Sequence, residues 1–171
     1  MKAYRWHGTI TFVVWLISAC STSADTLTVS PVPVAVAFTL THNGASNQGL
    51  TPIAVVTTWT TLAVTRTGLA LYAYFGSASA ALANTNPSAT VHIPSSRIEV
   101  SVNGGANQSF TQTLPFGAAS AGRQILSQAI TALTLTGTRT DTLTFNINLS
   151  GYTLPAGTYV GVLRFRARAT P

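Results

Sequence analysis

Side chains that could carry out catalysis are scarce in this sequence. The acids are Asp25, Glu99 and Asp141, and the histidines after His7 are His42 and His92. Acyl transfer requires a nucleophile, a base and an orienting acid within hydrogen-bond reach, and glycoside hydrolysis requires a pair of carboxyl groups. Glu99 and Asp141 are the candidate pair, but Glu99 is also expected to meet nearby Arg97 or to project from an exposed strand. Because His42 lies beside a turn and His92 within a strand, the sequence predicts a protein that is not an enzyme.

Metal and cofactor sites are not indicated either. Zinc sites need closely spaced cysteines and histidines, whereas this chain contains 1 cysteine, Cys20. Calcium sites need a loop rich in acidic side chains, which 3 acids in 171 residues do not provide. The turn sequence Asn103-Gly104-Gly105 lies between predicted strands rather than before a helix, so it does not match a phosphate-binding loop. We therefore expect no metal and no cofactor.

Aromatic and basic side chains provide a candidate ligand surface. The residues concerned are Tyr72, Tyr74, Arg164, Arg166 and Arg168. The tyrosines alternate on one face of a predicted strand, where flat rings are suited to sugars, and the arginines share a face of another strand. The arginines are suited to an anionic glycan or a lipid headgroup. The alternatives are ordinary cross-strand packing for the tyrosines and protection of a sheet edge for the arginines.

The net charge does not indicate a nucleic-acid partner. The charge of +6 reflects a shortage of acids, and the chain has no lysine after Lys2. Nucleic-acid binders normally carry clustered lysine and arginine with aromatic residues between them. We therefore expect no nucleic acid among the partners.

Residues 1–24 have the features of a secretory signal peptide. A basic start precedes a short apolar stretch from Ile10 to Ile17, and small residues follow it. The stretch is far shorter than the ~20 apolar residues of a membrane-spanning helix. Cleavage before Asp25 would leave residues 25–171. Alternatively, the segment ending at Cys20 resembles a bacterial lipobox, in which Cys20 is lipidated and the lipid is the membrane anchor.

Alternation of apolar and polar residues is the main structural signal. From Thr142 to Leu149, large apolar side chains occupy every second position, which predicts a strand with one buried face. A similar run from Tyr159 to Ala167 follows a Gly/Pro-rich break, and the two runs together predict an antiparallel hairpin. Ala118 to Ala129 is interpreted as a short helix or a loop, and Gly137 to Asp141 as a turn.

Turn signals recur roughly every ten residues, as is typical of an antiparallel sandwich. The sequence has no convincing amphipathic helices for βαβ units, and no repeat or linker divides it. We therefore predict an all-β fold, in which the signal peptide is followed by a single antiparallel Ig-like β-sandwich. This domain would span residues 25–171 and contain about seven to nine strands.

The segment Leu154 to Leu163 resembles the closing strand of the spore coat protein U and chaperone–usher pilin-like family. Its signal-peptide features and Thr/Ala/Gly-rich composition are similar to that family as well. The resemblance implies a sandwich that lacks one strand and is completed by an extended arm of a neighbouring subunit, with a periplasmic chaperone as a further partner. An ordinary first strand of its own domain is the alternative for the candidate donor arm, Thr26 to Val34. The candidate anchors in this arm are Leu27, Val29, Val32 and Val34.

The leading hypothesis is a noncatalytic structural or adhesive protein of the bacterial cell surface. It would be exported to the periplasm, the outer-membrane surface or the extracellular space. There it would assemble with itself or with other surface subunits by β-strand addition. The alternatives are a glycan-binding β-sandwich module and a lone surface lipoprotein.

Overall fold

Strands dominate the structure. The computed structural model describes residues 26–40, 44–113 and 115–171, together with the backbone of Thr11–Phe12 and Trp15–Leu16, so Cys20, Asp25 and His42 lie outside the described residues. The strands are β1 (Thr11–Phe12), β2 (Trp15–Leu16), β3 (Thr26–Val32), β4 (Asn47–Gln48), β5 (Ile53–Thr60), β6 (Gly68–Phe75), β7 (Ala83–Asn84), β8 (Ile98–Val102), β9 (Gln108–Ser109), β10 (Gly122–Ala129), β11 (Gly137–Ile147), β12 (Tyr159–Gly161) and β13 (Leu163–Thr170). One turn of 3₁₀ helix, Ser95–Arg97, precedes β8, and no α-helix occurs in the described ranges.

The strands form two main sheets and a small third one. The larger sheet has the order β3-β5-β11-β8-β9, with β4 also paired to β11. The second sheet has the order β10-β6-β13-β2, and the third has the order β1-β12-β7. All pairings among the strands β3 to β13 are antiparallel, whereas β1 and β2 each pair with a parallel partner. The predicted all-β, antiparallel class is therefore confirmed.

The core lies between the larger sheet and the second sheet. Burial alternates along β5, so that every second residue from Ile53 to Trp59 is buried. The same alternation in β11 buries Leu143, Phe145 and Ile147. The second sheet contributes Leu71, Phe75 and Phe165 to the same continuous cluster. Removing each such side chain from water stabilises the fold by about 1.5–3 kcal/mol. The architecture is sandwich-like, as the alternation predicted.

Three phenylalanine rings connect the two sheets through the core. Phe75 of β6 and Phe145 of β11 are both buried, and Phe110, which follows β9, lies between them. The Phe75 and Phe110 rings meet edge to face with centroids 5.1 Å apart, and the Phe110 and Phe145 rings stack at 6.5 Å. Aromatic pairs in these geometries add about 0.5–1.5 kcal/mol to the effect of burial.

The predicted C-terminal hairpin is wrong. β11 pairs with β4, β5 and β8 in the larger sheet, whereas β12 and β13 pair in the other two sheets. Residues 148–158 therefore connect one sheet to another instead of turning back along β11. Alternation indicates which side chains are buried, but it carries no information about which strand lies beside which.

Two interpretations of local structure are also wrong. Residues 122–129 form β10 rather than a helix or loop, and residues 137–141 extend β11 rather than forming a turn. In both places a long partner strand supplies the hydrogen bonds, β6 for the former and β5 for the latter. Tertiary pairing thus overrides weak local preferences.

Candidate functional site

The outer edge of β12 and β13 is the first candidate site. β12 pairs with β7 on one side, and after Val162 the chain continues as β13, which pairs with β6. The opposite side of both strands is covered by short parallel strands. β1 pairs with β12 in the register Thr11↔Val160, and β2 pairs with β13 in the register Trp15↔Arg164. Thr11–Phe12 thus extends the third sheet, and Trp15–Leu16 extends the second.

The backbone orientation of β13 determines which of its residues direct their N–H and C=O groups to the outer edge. The Phe75 N–H donates to the Ala121 carbonyl at 3.0 Å, so alternate residues of β6 starting at Phe75 face β10. Tyr74 and the other even-numbered residues of β6 therefore face β13, where Tyr74 is paired with Arg164. The intervening residues of β13 direct their backbone N–H and C=O groups to the outer edge. These residues are Leu163, Phe165 and Ala167, and their side chains are buried.

The crossing from the third sheet to the second is tightly packed. A Cβ atom at Gly161 would meet the Ala81 carbonyl oxygen, so a residue without a side chain is required there. Just before it, the Tyr159 hydroxyl donates to the Pro155 carbonyl at 2.8 Å. A tyrosine bonded to backbone a few residues upstream is also found at a strand corner of immunoglobulin domains. These contacts fix the path of the edge.

Tyr159 makes the stability of the fold sensitive to alkaline pH. Its side chain is fully buried, and this burial raises the pKa of its phenol. The stabilisation is present below the unfolded-state pKa of about 10 and is lost as pH rises through the folded-state pKa. We expect the free energy of unfolding to fall with pH above about 10, and to fall less steeply in Tyr159→Phe.

Urea unfolding of Tyr159→Phe and of Tyr72→Phe over this pH range checks the prediction. Tyr159→Phe should also lose about 1 kcal/mol at neutral pH, because the hydrogen bond to Pro155 is removed. Tyr72→Phe is the control, because it removes a phenol hydroxyl elsewhere and leaves Tyr159 and its contacts in place. Equal slopes in all three proteins would contradict the assignment to Tyr159.

The outer face of the second sheet is the second candidate site, and it brings together the predicted ligand residues. Arg164 lies opposite Tyr74, and Arg166 lies opposite Tyr72, so these side chains share one face. Arg168 is two residues further along β13 on the same face. Tyr74 is 7% exposed, which leaves Tyr72 as the more accessible ring. The sequence assigned the tyrosines and the arginines to faces of separate strands, and the pairing of β6 with β13 brings the two sets onto one surface.

Phe116 is a part of this face that the sequence did not indicate. Its ring meets the Tyr72 ring edge to face with centroids 5.6 Å apart, and it lies 6.0 Å from the Tyr74 ring. The guanidinium carbon of Arg166 lies 4.3 Å from the centroid of the Phe116 ring, a cation–π contact. Phe116 lies in a connecting segment without periodicity, so no sequence signal could have found it.

An open cleft of about 680 Å³ lies beside Tyr72. It is lined by Tyr72, Thr111, Gln112, Thr113, Pro115, Gln124 and Arg168. Gln124 is aligned with Tyr72 in the pairing of β10 with β6, and its backbone N–H donates to Gln112 Oε1 at 2.5 Å. The glutamines were not predicted, because their place depends on the pairing of β10.

The two described acids and the described histidine take part in structural hydrogen bonds. Asp141 is fully buried, with its carboxylate 3.0 Å from Arg139 Nη2 and 2.8 Å from Asn103 Nδ2. Glu99 accepts a hydrogen bond from Asn146 Nδ2 at 2.7 Å. Glu99 is paired with Asn146, which lies five residues from Asp141 on the opposite face of β11, so the positions of the two acids are about 17 Å apart along the strand. The candidate catalytic pair is therefore not brought together, and His92 Nδ1 accepts from the Asn84 N–H at 3.2 Å.

The expected contact between Glu99 and Arg97 is replaced by others. Arg97 Nη1 donates to the Ser150 carbonyl at 3.0 Å, and its guanidinium lies 5.2 Å from the Tyr152 ring centroid. The second hydrogen bond of Glu99 comes from Asn107 at 3.5 Å. Both side chains thus connect loops of the larger sheet.

The candidate donor arm lies in its own domain. β3 pairs with β5 from Thr26↔Thr60 to Val32↔Ala54 and is an edge strand, which permits Pro31 within it. Of the candidate anchors, Val29 is buried and Leu27 is half-buried against the core, whereas Val32 and Val34 are 64% and 61% exposed. This placement matches the alternative of an ordinary first strand.

Two packed antiparallel sheets and a strand-covered edge define an all-β, sandwich-like protein. A scan against protein-family models found no match, and a search of curated proteins found none either. Among the described residues, no helix has the length and apolar character needed to cross a membrane. The described residues also contain no group of His, Cys, Asp and Glu side chains arranged to hold a metal ion.

Proposed function

We propose that this chain is a noncatalytic, exported structural or adhesive protein of the bacterial surface that receives an added β-strand at the outer edge of β12 and β13. The observation that supports the proposal is the parallel pairing of β1 and β2 along this edge. An unpaired edge is a template for another strand, and main-chain hydrogen bonds supply the affinity in such complexes.

The features of residues 1–24 support export. If this leader is removed, β1 and β2 go with it, and the outward backbone groups of Leu163 and Phe165, which lie along β2, become available. The incoming strand then comes from another surface subunit, from a second copy or from a periplasmic chaperone. The likeness of residues 154–163 to the closing strand of pilin-like proteins supports the same mode of assembly. Lipidation of Cys20 would add a membrane anchor.

The present chain acts as the acceptor in this proposal. β3 occupies an edge of its own larger sheet, and Val29 is part of the core, so releasing Thr26–Val32 to a neighbour would expose buried surface. Noncatalytic action is supported by the structural hydrogen bonds of Asp141, Glu99 and His92.

A peptide-complementation experiment tests strand addition. The protein is residues 25–171, and the peptide is residues 9–18 with lysines added at both ends for solubility. We expect saturable binding that stabilises the protein by about 2.7 kcal/mol when the free peptide is at 100 times its Kd. The measurement is the midpoint of thermal unfolding as a function of peptide concentration.

N-methylated peptides provide matched controls. In the observed parallel register the N–H of Trp15 faces β13, and the N–H of Leu16 faces away from it. N-methylation of Trp15 should therefore abolish stabilisation, whereas N-methylation of Leu16 should leave most of it. Stabilisation that is absent, or equally sensitive to both modifications, would contradict the proposal.

A further inference from the structure

The cleft beside Tyr72 is a second site, separate from the strand-accepting edge and independent of the proposed function. We propose that it binds an acidic polysaccharide, a chain of sugars bearing carboxylate or sulfate groups. Arg168 binds the anionic group, the Tyr72 ring packs against a sugar ring, and the polar groups of the cleft bind sugar hydroxyls.

The charge of this face favours an anion. Arg164, Arg166 and Arg168 follow one another at every second position, so successive arginines are about 7 Å apart along β13. The described acids, Glu99 and Asp141, both lie on the larger sheet and are held there by hydrogen bonds. The arginine row thus has no described carboxylate on its own face. A ligand with regularly repeated negative charges complements it.

The lining of the cleft favours a sugar. A flat aromatic ring beside amide and hydroxyl groups supplies both apolar contact and hydrogen bonds, and the open cleft of about 680 Å³ has room for sugar rings. Gln112 uses its Oε1 to accept from the Gln124 backbone, which orients its Nε2 group as a donor. Thr111 and Thr113 are exposed and can both donate and accept.

The aromatic contacts hold this surface in place before a ligand arrives. Arg166 lies over the Phe116 ring, and the edge-to-face contact of Phe116 with Tyr72 fixes the wall of the cleft. Binding therefore needs little ordering of side chains, which preserves affinity. A lipid surface is the less suitable ligand, because none of the exposed large hydrophobic side chains of the described residues lines the cleft.

Retention on immobilised polysaccharides tests this inference with the full chain. The probes are polygalacturonate, which bears carboxylates, dextran sulfate, which bears sulfates, and neutral dextran. We expect retention on one or both acidic probes and none on neutral dextran. Arg168→Gln should weaken binding about tenfold or more, as expected when a charge-assisted hydrogen bond is lost.

Two variants separate a specific site from general charge attraction. Arg97→Gln changes the net charge by the same amount but lies away from the cleft, so it should keep nearly full binding. Tyr72→Leu keeps an apolar side chain against Phe116 but removes the flat ring, and it should weaken binding several-fold. Unchanged thermal unfolding midpoints show that the variants are folded.

Several outcomes would overturn the inference. Equal losses in Arg97→Gln and Arg168→Gln would indicate simple ion exchange, and full binding by Tyr72→Leu would show that the ring takes no part. Binding to vesicles containing phosphatidylglycerol, without retention on any polysaccharide, would assign the face to a membrane instead. A difference between polygalacturonate and dextran sulfate identifies the anionic group that the cleft prefers.

Discussion

Phe110→Ala is expected to lower the free energy of unfolding by about 3–5 kcal/mol, the cost of removing a buried phenylalanine and leaving a cavity. The effect should lie near the upper end of this range, because the ring contacts both Phe75 and Phe145 and its loss removes a contact between the two sheets. Since small domains are stable by only about 5–15 kcal/mol, this single change removes a large part of the total. Urea unfolding followed by circular dichroism measures the effect.

Leu133→Ala is the control for this experiment. Leu133 is 96% exposed, so its truncation should change the free energy of unfolding by less than about 0.5 kcal/mol. A loss of under about 1 kcal/mol in Phe110→Ala would show that the ring does not connect the sheets as described.

Arg139→Ala is expected to destabilise the protein by about 3 kcal/mol, more than Asp141→Asn does. The reason is the unequal exposure of the two side chains, 42% for Arg139 and 0% for Asp141. Without Arg139, a buried carboxylate keeps, among the described residues, a single hydrogen bond, the one from Asn103. In Asp141→Asn, the remaining guanidinium is free to turn to water, and about 1 kcal/mol is lost.

The double variant gives the sharper check. Because the asparagine at position 141 carries no charge, removing Arg139 in addition should cost less than it does in the natural protein. Arg139→Ala with Asp141→Asn should therefore be more stable than Arg139→Ala alone, by urea unfolding at neutral pH. Additive effects of the two substitutions would show that the ion pair does not couple them.

Period-two alternation predicted the faces of the strands well. Leu143, Phe145 and Ile147 are buried as expected, and so are Leu163 and Phe165. The physical reason is that successive side chains of a strand must point to opposite faces, whatever the partner strand is. Class and core follow from this rule alone, without knowledge of the topology.

Strand partners could not be predicted in the same way. β11 and β13 have similar patterns, yet they belong to different sheets, because the length of residues 148–158 allows the chain to cross between sheets. β10 was missed since small polar residues surround Ile125 and Leu126, and its identity as a strand depends on its pairing with β6. Such pairing is a property of distant segments and is not encoded in a local pattern.

The candidate ligand surface was predicted in part for the same reasons. The tyrosines and arginines lie on regular strands, so their faces followed from alternation. Phe116 and Gln112 lie in connecting segments, where no periodicity indicates direction. Their place became clear only when the pairing of β10 with β6 brought these segments beside Tyr72.

The strand that lies along the outer edge of β13, which is β2 in this structure, runs parallel to β13. This direction has a mechanical consequence. A load that pulls this strand by its N-terminal end, while the domain is held at the C-terminal end of β13, acts along the two strands in opposite directions. The hydrogen bonds between them are then strained together, in shear, and none can open ahead of the others as in peeling. Contact with both β12 and β13 also divides the load between two sheets. A joint built in this geometry resists tension through all of its bonds at once.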